Sequence, residues 1–114
     1  MIISEKFNRS NVGAVIHALR KNDLNIGQDV LSEEVGITQG TISKIENGSL
    51  ELGVSLYYEL LKYFDLSSDE FSKLVDIYIK ATLKLQRSKV KNNEKKEKAY
   101  TEIATQANLL RASR

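Results

Sequence analysis

Residues 28–46 read QDVLSEEVGITQGTISKIE, a stretch with the pattern of two short helices joined by a tight turn. Two helices that cross at a steep angle need a small side chain at the crossing, and Ser32 supplies it. The turn needs a residue that tolerates positive φ, and Gly36 stands four positions later. Apolar side chains that can fill the wedge between the helices stand at the matching positions: Leu31, Val35, Ile37, Ile42 and Ile45. The stretch therefore predicts a helix-turn-helix unit.

The sequence on both sides of this unit predicts an all-α chain. All six glycines lie in the first 53 residues, proline is absent, and no segment alternates apolar and polar residues over the length of a strand. The unit itself predicts one helix at 28–35 and a second that starts after Thr38, a good N-cap, and ends at Asn47. Apolar residues at spacings of three and four predict further helices at about 10–21, 54–64, 68–85 and 99–112.

Composition excludes several classes of protein and site. The 114 residues are 41% hydrophobic and 28% charged, which is typical of a globular chain. The chain has no cysteine and one histidine, so disulfides, thiolate zinc sites, iron–sulfur clusters and imidazole metal clusters are excluded. No apolar run approaches the ~20 residues of a membrane span, and the first residues lack a signal-peptide core. We expect a cytoplasmic protein with no membrane contact, no metal or cofactor and no enzymatic activity.

The chain resembles the Cro/C1-type (Xre-like) helix-turn-helix regulators of phages, plasmids and bacterial chromosomes. Three segments carry the resemblance: IGQDVL at 26–31, VGITQGTISKIENG at 35–48 and YFDLSSDEF at 63–71. With the first helix, the resemblance covers about residues 10–71. It implies a five-helix, lambda-repressor-like DNA-binding domain at residues 1–71. Residues 72–114 remain as a helical, basic C-terminal extension for dimerisation or partner binding.

The resemblance also implies which residues contact double-stranded DNA. Gln28, at the start of the second helix, matches a glutamine that bonds a phosphate, and Gln39 matches a base reader whose amide can pair with adenine. Lys44 could reach guanine or a phosphate, and Asn47 could touch the backbone. The full predicted set is Gln28, Thr38, Gln39, Gly40, Thr41, Ser43, Lys44 and Asn47.

Two departures from the family pattern bear on this set. Gly40 stands where a base-reading side chain is common, so one contact is missing or the backbone approaches DNA more closely. The segment after Gly48 usually carries basic residues and a proline, but here it reads SLELG. Further phosphate contacts are therefore expected from three other basic residues: Arg9, Arg20 and Lys21.

Charge is divided unevenly along the chain. Residues 1–68 carry six basic against nine acidic side chains, whereas residues 69–114 carry eleven against six. Residues 86–98 alone hold six positive and two negative charges. This segment either supplies general attraction to DNA or forms a solvated helix or tether. The amphipathic stripe at 99–112 must bury itself on the domain, on a second subunit or on a partner protein.

These observations lead to two hypotheses of different classes. The first is a transcriptional regulator, acting as a repressor, in which a homodimer binds a pseudo-palindromic operator. The second is a protein-binding adaptor or anti-activator that uses the helix-turn-helix scaffold or the C-terminal helix at 99–112. His17 falls off the apolar stripe of the first helix and is predicted to be solvated. The tyrosines Tyr57, Tyr58 and Tyr63 are predicted to be core and interface residues rather than stacking platforms.

Overall fold

Six α-helices and two short helical turns form the part of the chain that the computed structural model describes, residues 5–86 and 92–114. A 3-10 turn at Glu5–Phe7 precedes the first helix, and a π-helical turn at Leu19–Asp23 continues it. The helices are α1 (Arg9–Ala18), α2 (Gln28–Val35), α3 (Gln39–Glu46), α4 (Val54–Phe64), α5 (Ser68–Gln86) and α6 (Asn92–Ala112). No described residue lies in a strand, so the all-α prediction is confirmed.

A glycine and a threonine set the turn between α2 and α3. Gly36 ends α2 in the left-handed region with a φ of 76°, and its N–H donates to the carbonyl of Ser32. Thr38 begins α3, because its Oγ1 accepts a hydrogen bond from the N–H of Thr41 at 3.2 Å. Both residues therefore have the roles that the sequence pattern predicts for them.

Close packing holds the short α3 against the rest of the domain. Ile42 and Ile45 on α3 are buried together with Leu31 on α2. α1 passes so near the end of α3 that a Cβ at Gly13 would overlap the carbonyl oxygen of Ile45. An isolated helix of two turns is unstable in water, so this packing is what keeps α3 helical.

α6 folds back onto the chain's own helices. It contacts α5, α1 and the π-helical turn, and it buries a stripe of small and branched residues there: Ala99, Ile103, Ala104 and Ala107. Arg111 fixes the far end of α6: its guanidinium donates to the carbonyl of Phe64 at 2.8 and 3.1 Å and lies 2.8 Å from a carboxylate oxygen of Asp23. α6 is therefore part of the same packed unit as α1–α5.

This position of α6 answers one question that the sequence leaves open. Of the three places predicted for the 99–112 stripe, the structure shows the first, because the apolar side chains lie inside the chain. Dimerisation or partner binding through the exposed parts of residues 72–114 stays a prediction. Of the basic segment at 86–98, residues 87–91 lie outside the described part, and residues 92–98 form the first turns of α6. No helix within the described ranges is long and apolar enough to cross a membrane.

Candidate nucleic-acid interface

The outward face of α3 carries the predicted DNA contacts. α3 buries Ile42 and Ile45, and its exposed residues lie on the rest of its surface. We call the predicted contact residues of this helix and its ends the recognition surface: Thr38, Gln39, Gly40, Lys44 and Asn47, which are exposed, and Thr41 and Ser43, which are half-buried. Seven of the eight predicted site residues thus belong to α3 or its ends, and the eighth, Gln28, begins α2.

The recognition surface is polar and carries one positive charge, that of Lys44. The Oγ1 atoms of Thr38 and Thr41 lie 2.8 Å apart, so one hydroxyl donates to the other. The carbonyl oxygen of the Asn47 side chain accepts from the N–H of Ser49 at 2.9 Å, so a phosphate contact by Asn47 would use its amide nitrogen. The exposed carboxylates of residues 28–59 lie outside this set of residues: Asp29, Glu33, Glu34, Glu51 and Glu59. The surface therefore has the donors that a DNA groove and its phosphates require.

A buried carboxylate at the end of α3 joins three helices. Glu46 Oε2 lies 2.6 Å from Arg20 Nε, and Glu46 Oε1 accepts from Arg20 Nη2 at 2.9 Å and from Gln28 Nε2 at 3.2 Å. Nδ1 of His17 lies 2.8 Å from the same Oε1 atom. Burial opposes ionisation of this carboxyl, but hydrogen bonds from His17, Arg20 and Gln28 lower the pKa of Glu46 to about 2. We call these four residues the Glu46 cluster.

The Glu46 cluster corrects two predictions. Arg20 is not a phosphate contact, because its side chain is buried and its guanidinium is bonded to Glu46 and, at 2.7 Å, to the carbonyl of Ile26. His17 is not a solvated surface residue, because it is half-buried against Glu46 and its ring lies 4.7 Å from that of Tyr100 on α6. Both partners come from distant parts of the chain, so helical spacing alone could not indicate them.

Gln28 has a more restricted position than the resemblance implies. Its side chain is half-buried and donates to Glu46, so it lies beside the recognition surface and is held by α3. The residue before it, Gly27, gives α2 no side-chain cap, and the first-turn N–H groups of α2 therefore remain the groups suited to a phosphate oxygen.

A cavity of about 350 Å³ lies between the recognition surface and α6. Its wall includes Gln28, Ser43 and Asn47 from the predicted site and Lys96 and Tyr100 from α6. This neighbourhood could not be predicted from the sequence, since α6 could have packed elsewhere. The described side chains include no group of three possible metal ligands, and the cavity instead offers hydrogen-bonding and aromatic groups.

A comparison with protein families identifies one match. The model of a family described as helix-turn-helix matches residues 16–71, which run from the second half of α1 to the beginning of α5. The match therefore includes α2, α3 and α4 and leaves α6 outside. No curated protein and no solved structure matches the chain.

Proposed function

Because residues 16–71 belong to the Cro/C1-type helix-turn-helix family of DNA-binding transcription regulators, we propose that the chain is a sequence-specific repressor that binds double-stranded DNA as a homodimer. The observation that carries this proposal is the open recognition surface. Gln39, Gly40 and Lys44 are exposed on a helix whose other side is packed into the domain. Within residues 5–86 and 92–114, no described side chain of α6 and no described acidic side chain covers these three residues.

In the proposed complex, α3 lies in the major groove, where some of its residues contact bases and others contact the DNA backbone. Gln39, at the first position of the helix, reads a base edge with its amide, which pairs with adenine through N6 and N7. Lys44, about one turn later, reaches a guanine or a phosphate. Thr41 and Ser43 face the groove walls, and Gln28 and Asn47 contact backbone phosphates beside the helix. Gly40 leaves room for the helix to approach the bases closely.

The proposal of a homodimer follows from the small footprint of one recognition helix. Two turns of helix contact only a few base pairs, which is too little to single out a site in a genome. Two recognition helices about 34 Å apart read two half-sites on one side of the duplex, and their energies add. Occupancy of the operator by such a dimer excludes polymerase, which is sufficient for repression.

The proposal is tested by gel retardation on the DNA just upstream of the chain's own gene, where regulators of this type often act. We expect specific retardation that weakens with salt and survives an excess of random-sequence competitor. Equal binding to the upstream DNA and to the competitor would contradict sequence-specific regulation. A footprint with two half-sites would support the homodimer, and a single half-site would contradict it.

The adaptor hypothesis gives a different result in the same experiment. With the 99–112 stripe buried, an adaptor would use the exposed face of α6 or the helix-turn-helix scaffold. An adaptor would show no salt-sensitive retardation on any DNA. The polar, non-acidic recognition surface favours the regulator.

A further inference from the structure

Lys96 of α6 faces the helix-turn-helix domain. It stands three residues before Ala99 and seven before Ile103, so the three side chains lie along one face of the helix. Ala99 and Ile103 have no exposed surface, whereas Lys96 is exposed. Lys96 therefore lies on the same face of α6 as the buried stripe, but outside the core.

The side chain of Lys96 shares a cavity with candidate DNA contacts. Lys96 lines the same 350 Å³ cavity as Gln28, Ser43 and Asn47. Gln28 and Asn47 are the two residues proposed to hold phosphates at the sides of the recognition helix. A phosphate seated at this edge of α3 lies on the side from which Lys96 projects.

Aromatic contacts fix α6 in this position. The ring of Tyr100 lies 4.7 Å from that of His17 and stacks on Tyr78 with a centroid distance of 6.4 Å and an interplanar angle of 8°. Burial raises the pKa of Tyr100 to about 12, so its hydroxyl is neutral at physiological pH. The carboxylate of Glu46 in the same wall is compensated by Arg20. The cavity thus holds Lys96 near α3 without a free negative charge from these residues.

Residues 1–68 have few positively charged side chains that are available to bind DNA. Residues 1–68 have nine acidic and six basic side chains, and two of the basic ones are engaged in the fold. Arg20 is bound to Glu46, and Lys6 donates to Ser72 and Asp76 at 2.9 and 3.0 Å. Because neutralising phosphates supplies much of the affinity of a DNA-binding protein, a lysine from α6 makes a proportionally large contribution.

We propose that Lys96 binds a DNA backbone phosphate next to the recognition helix, so that the DNA-binding surface extends beyond the family domain onto α6. This inference rests on the proposed DNA-binding function. Lys96 reads no base, so its contribution is the same on every sequence. It also depends on ionic strength, because the contact releases a counterion.

The test compares Lys96→Gln with Lys98→Gln in the full chain. Lys98 is also exposed, carries the same charge and lies on the same helix, but it is about 200° around the helix axis from Lys96. For Lys96→Gln, the slope of log affinity against log salt should be shallower by about 0.9 per bound chain. From 50 to 200 mM salt, this variant should therefore lose about threefold less affinity per chain than the wild type. Lys98→Gln should keep the wild-type slope.

The outcomes separate this inference from the proposed function. If the wild type binds no DNA specifically, the proposed function fails before Lys96 is considered. If it binds specifically and Lys96→Gln behaves as the wild type does, only the phosphate contact is wrong. Equal effects of the two substitutions would show that α6 contributes only through its net charge. The proposed contact between Lys96 and a phosphate would then be wrong. Circular dichroism melts, expected to be unchanged because both lysines are exposed, exclude unfolding as the cause.

Discussion

Among single residues, Gln39 gives the most direct test of base reading. Its exposed amide can form two hydrogen bonds to one adenine, and alanine at this position can form none. We expect Gln39→Ala to weaken binding to the cognate site by about 1–3 kcal/mol and to relax the preference at one base pair. Binding should be measured on a set of sites with each base pair changed in turn.

Gln106→Ala is the matched control, because Gln106 has the same side chain and lies on α6, where it donates to Glu102 at 3.2 Å. It should bind every site as the wild type does. A uniform loss for Gln39→Ala over all sites would show that Gln39 contributes to affinity without reading a base.

The Glu46 cluster makes the stability of the domain depend on pH in the acid range. The pKa of Glu46 is about 2 in the folded chain, below its ordinary value of 4.5. The ionised carboxylate therefore stabilises the fold above pH 4.5, and this stability is lost as the pH falls toward 2. We expect Glu46→Gln to lower the free energy of unfolding by about 3 kcal/mol at pH 7. Urea denaturation of both proteins at pH 7 and pH 3 measures the difference.

At pH 3 the gap between wild type and Glu46→Gln should shrink to about 1 kcal/mol, since much of the linkage is then lost. An equal gap at the two pH values would show that Glu46 acts by packing alone. Of this cluster, the sequence indicated only that Glu46 ends the recognition helix. Arg20 and His17 stand 26 and 29 residues earlier, and a pairing at that separation depends on how α1 and α3 cross.

Among the helices, α3 depends most on its neighbours. Gly13 of α1 has no side chain where it meets the carbonyl of Ile45, and an added methyl group must push the two helices apart. We expect Gly13→Ala to destabilise the domain by about 1–3 kcal/mol through overpacking, despite the better helix propensity of alanine. Thermal melts followed by circular dichroism measure the change.

Gly40→Ala is the control for helix propensity. Its new methyl group would have only the Thr38 hydroxyl nearby, at 3.9 Å, so stability should rise by up to about 1 kcal/mol. Stabilisation by both substitutions would contradict the close crossing of α1 and α3. Gly36 was predictable because a turn requires it locally. Gly13 was not, because its role comes from a contact with a backbone 32 residues later.

For the whole molecule, α6 completes the core that the family domain leaves open. Ile103 is fully buried among residues of α1 and α5, whereas Leu109 on the same helix is 56% exposed. We expect Ile103→Ala to lower the free energy of unfolding by about 2–5 kcal/mol and Leu109→Ala to change it little. The two melts should each remain a single transition, since α6 and α1–α5 form one unit.

A separate early transition for Ile103→Ala, with the remainder unchanged, would show that α6 unfolds independently of the domain. The spacing of the 99–112 stripe predicted a helix with one buried face, and the structure contains it. The partner of that face could not be predicted, because an apolar stripe can be buried equally well against its own chain or against another.

The pairing of α6 with the π-helical turn joins an early part of the chain to a late one. Folding can therefore finish only after α6 has been made. Asp23 emerges early from the ribosome, but its partner Arg111 is made 88 residues later. Until then the apolar side chains that pack against α6 remain exposed to solvent. A nascent chain that stops before α6 lacks the helix that covers them. A chain that ends before α6 therefore lacks part of its buried core and should be less stable than the full chain.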